Sequence, residues 1–313
     1  MSRHEQDDIC EEVIFDDNHR AAEIYGPNNM HLSLLEKDLN VTLRSRGNEL
    51  TICGSAENVH QTQEVLRKLW DKQENDITID AQEVTAALRF SHKKQAQVDS
   101  SLAFHTKKKQ ITPRTPMQAQ FMQELKENEL CFAVGPAGTG KTWLAVARAV
   151  EAMANGEVER IILSRPALEA GEKLGFLPGD MQEKVDPYLR PLYDAMHDMM
   201  PKDFIERKIA SGEIEIAPLA FMRGRSLKNA YIILDEAQNT TAAQMKMFLT
   251  RFGEGSRMIV TGDLSQVDLP RGVESGLLVA TQKLAHIESV SVIEFGEEDV
   301  VRHDLVARII KAW

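Results

Sequence analysis

Residues Gly135-Pro136-Ala137-Gly138-Thr139-Gly140-Lys141-Thr142 fill every fixed position of the pattern G-x-x-x-x-G-K-[S/T]. Few short stretches constrain a chain as tightly. The glycines let successive backbone N–H groups curl around an anion, and the helix that must follow directs the positive end of its dipole at the same charge. The neighbours suit that geometry. Leu130-Cys131-Phe132-Ala133-Val134 reads as a short buried strand, and Trp143 to Val150 as a helix with an apolar face. The expectation is a nucleotide-phosphate site in which Lys141 reaches the β- and γ-phosphates and the Thr142 hydroxyl ligates Mg²⁺.

A second stretch fits beside it. Tyr231-Ile232-Ile233-Leu234 is a continuous apolar run, the mark of a parallel strand buried on both faces. It delivers Asp235 and Glu236 at its C-terminal end, where open α/β sheets bind ligands. Asp235 is expected to hold the nucleotide's Mg²⁺, directly or through water, and Glu236 to orient and deprotonate an attacking water. A third strand, Ser256 to Thr261, leads into Gly262-Asp263-Leu264-Ser265-Gln266. There Gln266 is placed to sense the γ-phosphate; the plainer reading is a turn capped by Asp263. Arg302 is the candidate for stabilising transition-state charge, in cis or from a neighbouring subunit, against a surface ion pair with Glu298 or Asp299. Arg165 and Arg271 compete for that role.

Strands at 159–166, 214–217, 230–234, 256–261 and 290–295 alternate with helical segments, which predicts a parallel sheet covered on both faces, a RecA-like α/β domain over residues 116–313. Ahead of it the chain divides differently. Residues 1–10 form a polar tail. Residues 11–75 read β-α-(Gly turn)-α-β-β-α, with a helix at Asn18–Tyr25, leucines at Leu32, Leu35 and Leu39, and a turn at Arg46-Gly47-Asn48. That order resembles a KH module, in which a GxxG loop clamps single-stranded RNA. Here the loop reads Gly26-Pro27-Asn28-Asn29, without the second glycine. Residues 76–115 suggest a helix followed by a basic linker. Lys93, Lys94, Lys107, Lys108, Lys109 and Arg114 stand there against Asp99, a run that tracks a phosphate backbone or simply remains solvated.

Composition sets outer limits. The net charge of −11 argues against nonspecific coating of nucleic acid while leaving room for a local basic groove. Cys10, Cys53 and Cys131 lie far apart without metal-type spacing and are expected as reduced thiols, Cys131 in a core strand. No signal peptide or membrane span is evident, so a cytoplasmic protein is expected.

Together these motifs resemble the PhoH-like ATPases, in the bacterial branch with an N-terminal KH-like domain. The resemblance is carried by Pro113 to Pro116 with Gln118, the phosphate loop, Ser164-Arg165-Pro166-Ala167, Gly171 to Gly179, Asp186-Pro187-Tyr188, Asp235-Glu236-Ala237-Gln238, Gly262 to Gln266 and Asp299 to His303. It implies ATP as the nucleotide, with Gln118 reading adenine, and a likeness to the first motor domain of superfamily 1 helicases. It also implies a role in RNA remodelling or unwinding during rRNA maturation or decay, with an endoribonuclease as partner. The alternative is a nucleotide-gated RNA adaptor that recruits the nuclease without motor action. A lone motor domain leaves the γ-phosphate side of its site open, and about 45 residues after Gln266 are too few for a second such domain. A head-to-tail homo-oligomer, most simply a ring, is therefore expected to complete the site.

Overall fold

The computed structural model describes residues 8–74, 77–92, 102–166 and 181–301. Contacts divide the chain into two compact units, residues 1–101 with 112–119, and residues 102–111 with 120–313.

The first unit contains β1 (Ile9–Ile14), α1 (Asn18–Tyr25), α2 (Met30–Leu39), β2 (Thr42–Arg46), β3 (Glu49–Gly54), α3 (Ala56–Glu74) and α4 (Ala81–His92). The strands form an antiparallel sheet in the order β1-β3-β2. β2 and β3 are joined by a two-residue turn with Gly47 first, at φ 65°, the position where a II′ hairpin turn needs positive φ. The helices bury one face against this sheet. Ile24, Leu35, Leu50, Ile52, Leu66 and Leu69 are all essentially inaccessible, and Val84, Ala87 and Leu88 of α4 join the same core. These three residues lie in the helix expected ahead of the basic run. Asp17 caps α1 by accepting from the Arg20 amide at 2.8 Å. In the loop between α1 and α2, Gly26 has φ 75°, and Asn28 and Asn29 have φ 52° and 59°. Asparagine tolerates this left-handed region better than other side chains, so Asn29 takes up a conformation suited to a second glycine.

The cysteine expectation is corrected here. β1 and β3 run antiparallel with Cys10 opposite Cys53, and the two form a disulfide. Their 43-residue separation in sequence carries no information on a cross-strand register set by the apolar alternation of both strands. Cys131, by contrast, is buried and free.

In the second unit a short hairpin, β4 (Phe104–His105) and β5 (Gln110–Ile111), precedes the main sheet; α5 (Pro116–Glu127) follows it in the chain, its first four residues counted with the first unit. Then come β6 (Leu130–Val134), α6 (Lys141–Ala154), β7 (Arg160–Arg165), α7 (Met181–Met199), α8 (Lys202–Ala210), β8 (Ile214–Pro218), β9 (Ala230–Leu234), α9 (Ala242–Leu249), β10 (Arg257–Gly262), α10 (Gly276–Leu284) and β11 (Val290–Glu294). Six strands form one parallel sheet in the order β11-β6-β10-β9-β7-β8. This is the α/β class expected from strand–helix alternation. All five residues of β9 are buried, as its unbroken apolar run requires. β6 lies between β10 and β11, which places the loop after β6 beside the turn after β10 and two strands from the end of β9. The Gly171 to Gly179 segment and the helix expected from Val300 to Trp313 fall outside the described residues, except for residues 300 and 301.

Candidate functional site: a phosphate loop with paired carboxylates

The loop between β6 and α6 is held from both sides. The Gly135 amide donates to Gly262 O at 3.1 Å, the Ala137 amide to Asp263 Oδ2 at 3.1 Å, and Val301 N donates to Gly138 O at 2.9 Å. Gly135 has φ 146°, and a Cβ there would lie 2.5 Å from Phe295 O at the end of β11, so only glycine allows so close an approach. Gly138 and Gly140 have φ 86°, the left-handed turns that curl the backbone before α6 begins. The Thr139 hydroxyl, fully buried, closes the loop internally by donating to Pro136 O at 3.0 Å.

Lys141 is the first residue of α6 and is only 8% exposed. Its ammonium donates to Gly135 O at 2.7 Å and Pro136 O at 2.8 Å, so it is folded across its own loop. These carbonyls hold the cation over the space that a polyphosphate would enter. Thr142 follows. Its hydroxyl donates to Asp235 Oδ1 at 2.6 Å, and Thr261 Oγ1 donates to the same oxygen at 2.6 Å. Asp235, 3% exposed, also accepts from Arg165 Nε at 2.9 Å through Oδ2.

Arg165 ends β7 and spans both carboxylates, since its Nη2 donates to Glu236 Oε1 at 2.8 Å. Gln238 Nε2 donates to the other oxygen, Glu236 Oε2, at 2.6 Å. Glu236 is thereby fixed at both ends. Its backbone sits at φ 53°, uncommon for a residue with a side chain and typical of functional turns. The Gln238 amide also bridges onward, donating to Gln266 O at 3.3 Å, while its Oε1 accepts from the Asp263 amide at 3.1 Å.

Asp263 is the hub that pattern reading missed as a site residue. Besides Ala137, its carboxylate accepts from the Ser265 amide (2.9 Å), the Ser265 hydroxyl (2.6 Å) and Gln266 Nε2 (2.6 Å). Burial pushes its pKa upward, but the Ser265 and Gln266 bonds and the nearby Lys141 outweigh this and hold it below the ordinary carboxylate value. The capped-turn reading of this stretch and the placement of Gln266 beside the loop therefore coexist. A cavity of about 260 Å³ opens among Gly138, Lys141, Thr142, Asp235, Glu236 and Gln266, with Trp143 on its wall.

The structure thus brings together Gly135 to Thr142, Asp235, Glu236 and Gln266, and adds Arg165, Thr261, Gln238 and Asp263. In the sequence Arg165 is a rival to Arg302 and part of the Ser164–Ala167 stretch, and no local signal there points to its bridge between the carboxylates. Arg302 lies outside the described residues. Arg271 is exposed. Gln118 belongs to the first unit, where its Oε1 accepts from the Arg114 backbone amide at 2.8 Å and its backbone N–H donates to Thr115 Oγ1 at 3.1 Å.

The donor set suits Mg²⁺. Among the described residues no group of three or more His, Cys, Asp or Glu side chains could hold a metal alone. Mg²⁺ needs no such cage, because it takes one or two protein oxygens and leaves the rest to phosphates and water. Thr142 Oγ1 and Asp235 Oδ1 are two such oxygens on the wall of one cavity. Among the described residues no helix is long and apolar enough to cross a membrane.

A family profile described as PhoH-like protein matches residues 110–313. A PhoH-like protein of Bacillus subtilis (strain 168) is 50% identical over 298 residues, covering 94% of this chain and 93% of the relative. Protein PhoH of Escherichia coli K12 is 49% identical over 205 residues, covering 65% of this chain and 58% of that protein. Among solved structures, the Pif1 helicase from Candida albicans aligns with 62% of this chain and 41% of its own, at 14% identity and a TM-score of 0.32. The profile runs through the phosphate loop, both carboxylates and the Asp263 turn, and the Bacillus relative matches nearly end to end: this chain belongs to the PhoH-like family, in the P-loop class of nucleotidases.

Proposed function

We propose that this chain binds ATP with Mg²⁺ at the Gly135–Thr142 loop, hydrolyses it, and uses the cycle to remodel RNA in the cytoplasm. The observation that carries the hydrolytic reading is the pairing of Asp235 with Glu236. One carboxylate is buried beside the Thr142 hydroxyl, while the next residue turns its carboxylate toward the cavity, with 44% of the side chain exposed. Adjacent residues thereby divide two tasks. Thr142 and Asp235 hold the metal, whose charge when bound neutralises the β- and γ-phosphate oxygens. Glu236 orients a water and accepts its proton at Oε, steadied by Arg165 and Gln238.

Lys141 trades the carbonyls of Gly135 and Pro136 for phosphate oxygens. Gln266, tied to Asp263 and through it to the Ala137 amide, is positioned to report loss of the γ-phosphate to the loop. Gln118 reads adenine, and Arg302 supplies positive charge to the transition state, from the same chain or from the next subunit of a ring. The first unit is KH-like; the left-handed Asn29 gives its loop a backbone able to approach a nucleic-acid strand despite the missing glycine. An endoribonuclease of rRNA maturation is the natural partner of such a motor.

The test is steady-state ATP hydrolysis with and without single-stranded RNA, for wild type and Glu236→Gln, alongside equilibrium binding of a fluorescent ATP analogue. Loss of general base catalysis is expected to lower kcat by about 10²- to 10⁴-fold, with nucleotide binding retained. Equal turnover by the two proteins would remove Glu236 from the mechanism, and no turnover by wild type under any condition would remove the enzyme reading.

A further inference from the structure

The hairpin β4–β5 carries three consecutive lysines in the turn between two-residue strands. The turn is tight and self-closed. The Thr106 amide donates to Lys109 O at 3.1 Å, and the Thr106 hydroxyl donates to the same oxygen at 2.7 Å. It is also anchored to the unit below. The His105 amide donates to Glu151 Oε1 at 2.8 Å, and the Lys108 amide to Met199 O at 3.2 Å. Phe104 and Ile111 are buried beneath it. Lys107, Lys108 and Lys109 are all exposed. Lys108 Nζ donates to His197 O and Lys109 Nζ lies 3.8 Å from Asp198 Oδ2, so one carboxylate faces three like charges held on a rigid turn, in a chain whose net charge is −11.

Two aromatic rings share this surface. Lys107 Nζ stands 3.5 Å from the centroid of the partly exposed Phe204 ring, and Arg207 and Lys208 flank that ring at 5.9 Å and 5.6 Å. Lys109 Nζ stands 4.9 Å from the Trp143 ring, whose Nε1 donates to Asp198 Oδ2 at 3.2 Å. Partly exposed rings faced by ammonium groups on a rigid turn are the parts of a single-strand platform, where bases stack on rings and phosphates meet cations. A nucleotide strand supplies both partners at once. Its base replaces a lysine over the ring, and its phosphate takes the displaced ammonium.

We propose that the Lys107–Lys109 turn together with Phe204 forms a contact for single-stranded RNA, distinct from the loop at Gly26. It rests on the reading of this chain as an RNA-coupled ATPase, and it places the strand beside Trp143, a wall of the nucleotide cavity. An acidic protein segment offers charge to the lysines but no flat ring to Phe204, so RNA is the better fit.

The test uses the full chain and a 5′-fluorescein 12-mer of oligouridylate, with anisotropy titrations over a series of KCl concentrations. Lys107→Gln/Lys108→Gln removes two phosphate contacts, so the slope of log Kd against log salt falls by about 1.4. At low salt the affinity drops about tenfold or more. Phe204→Leu weakens binding by about 5- to 100-fold with the salt slope kept, because a stacked base is lost and no charge is. ATPase activity without RNA stays at the wild-type level in all of these variants. Wild-type-like affinity and slope in the double-lysine variant would overturn the surface while leaving RNA binding elsewhere intact. Failure of wild type itself to bind the oligonucleotide would overturn the RNA reading as a whole. Displacement of the oligonucleotide by polyglutamate at equal charge concentration would reassign the surface to an acidic protein and overturn the proposal. If Phe204→Leu does not fold, the lysine variant alone decides, since its changes lie on exposed side chains.

Discussion

Asp263→Asn is an isosteric change that should separate the hub from everything around it. The wild-type carboxylate accepts four hydrogen bonds, from Ala137 N, Ser265 N, Ser265 Oγ and Gln266 Nε2. An asparagine can keep its oxygen toward Ser265, but its amide nitrogen then faces the Ala137 N–H, donor against donor. Gln266 can rotate its own amide to present oxygen, which recovers one bond. What remains lost is the tie to the phosphate loop and the charge assistance of the rest, and hydrogen bonds to charged groups contribute about 1.5–3 kcal/mol each. The expected destabilisation is about 3 kcal/mol, or a drop of about 6–12 °C in the melting temperature of a unit this size.

The pH dependence gives a second, independent reading. Asp263 has its carboxyl held below the ordinary value in the folded chain. Its contribution is therefore fully present above the unfolded-state pKa of about 3.9, and is lost as pH falls through the lower folded value. Calorimetry of the two proteins should show the full gap at pH 7, and a gap that closes below about pH 4. Melting of Asp263→Asn within a degree of wild type at pH 7, or a gap that widens in acid, would refute the hub.

Two further outcomes follow from the cysteines. The Cys10–Cys53 bridge closes 43 residues, so in the chain-entropy account Cys10→Ser should lower the stability of the first unit by about 4 kcal/mol under oxidising conditions; dithiothreitol should abolish the difference from wild type. Burial, with Glu124 adding to it and Arg257 opposing, pushes the Cys131 thiol up to about 12, so iodoacetamide at pH 8 should leave it unmodified in the native chain and label it quickly in urea; prompt native labelling would contradict its burial.

The second unit was legible in the sequence where a pattern is local. β6, the phosphate loop and α6 follow from one motif and its flanks, and β9 from an unbroken apolar run. In the first unit, the helix expected at Asn18–Tyr25 matches α1 to the residue, and the structure adds Asp17 as its cap ahead of the Gly26 that ends it. What escaped depends on pairing across distance. Nothing near Cys10 announces Cys53, because the bridge exists only once β1 and β3 are in register. The bond from Arg165 to Asp235 joins residues 70 apart, and Asp263 reaches Ala137 across 126. The basic run at 107–109 looked like connector because two-residue strands are too short for period-2 alternation to register, although Phe104 and Ile111 are core.

The order of strands in the main sheet also bears on how the chain is made. Synthesis delivers β6 and the phosphate loop early, yet both partners of β6, the strands β10 and β11, emerge last. At bacterial-to-eukaryotic elongation rates of about 5–20 residues per second, the interval from Val134 to Glu294 is roughly 8–32 s. As they emerge, β7, β8 and β9 can pair among themselves, while Leu130–Val134 leaves the ribosome as an apolar segment with neither neighbour. Gly135 then waits for Gly262 and Phe295 to define its turn. The nascent chain thus carries its nucleotide motif long before it can hold a nucleotide, and shielding that one strand is a task for the ribosome surface or a chaperone.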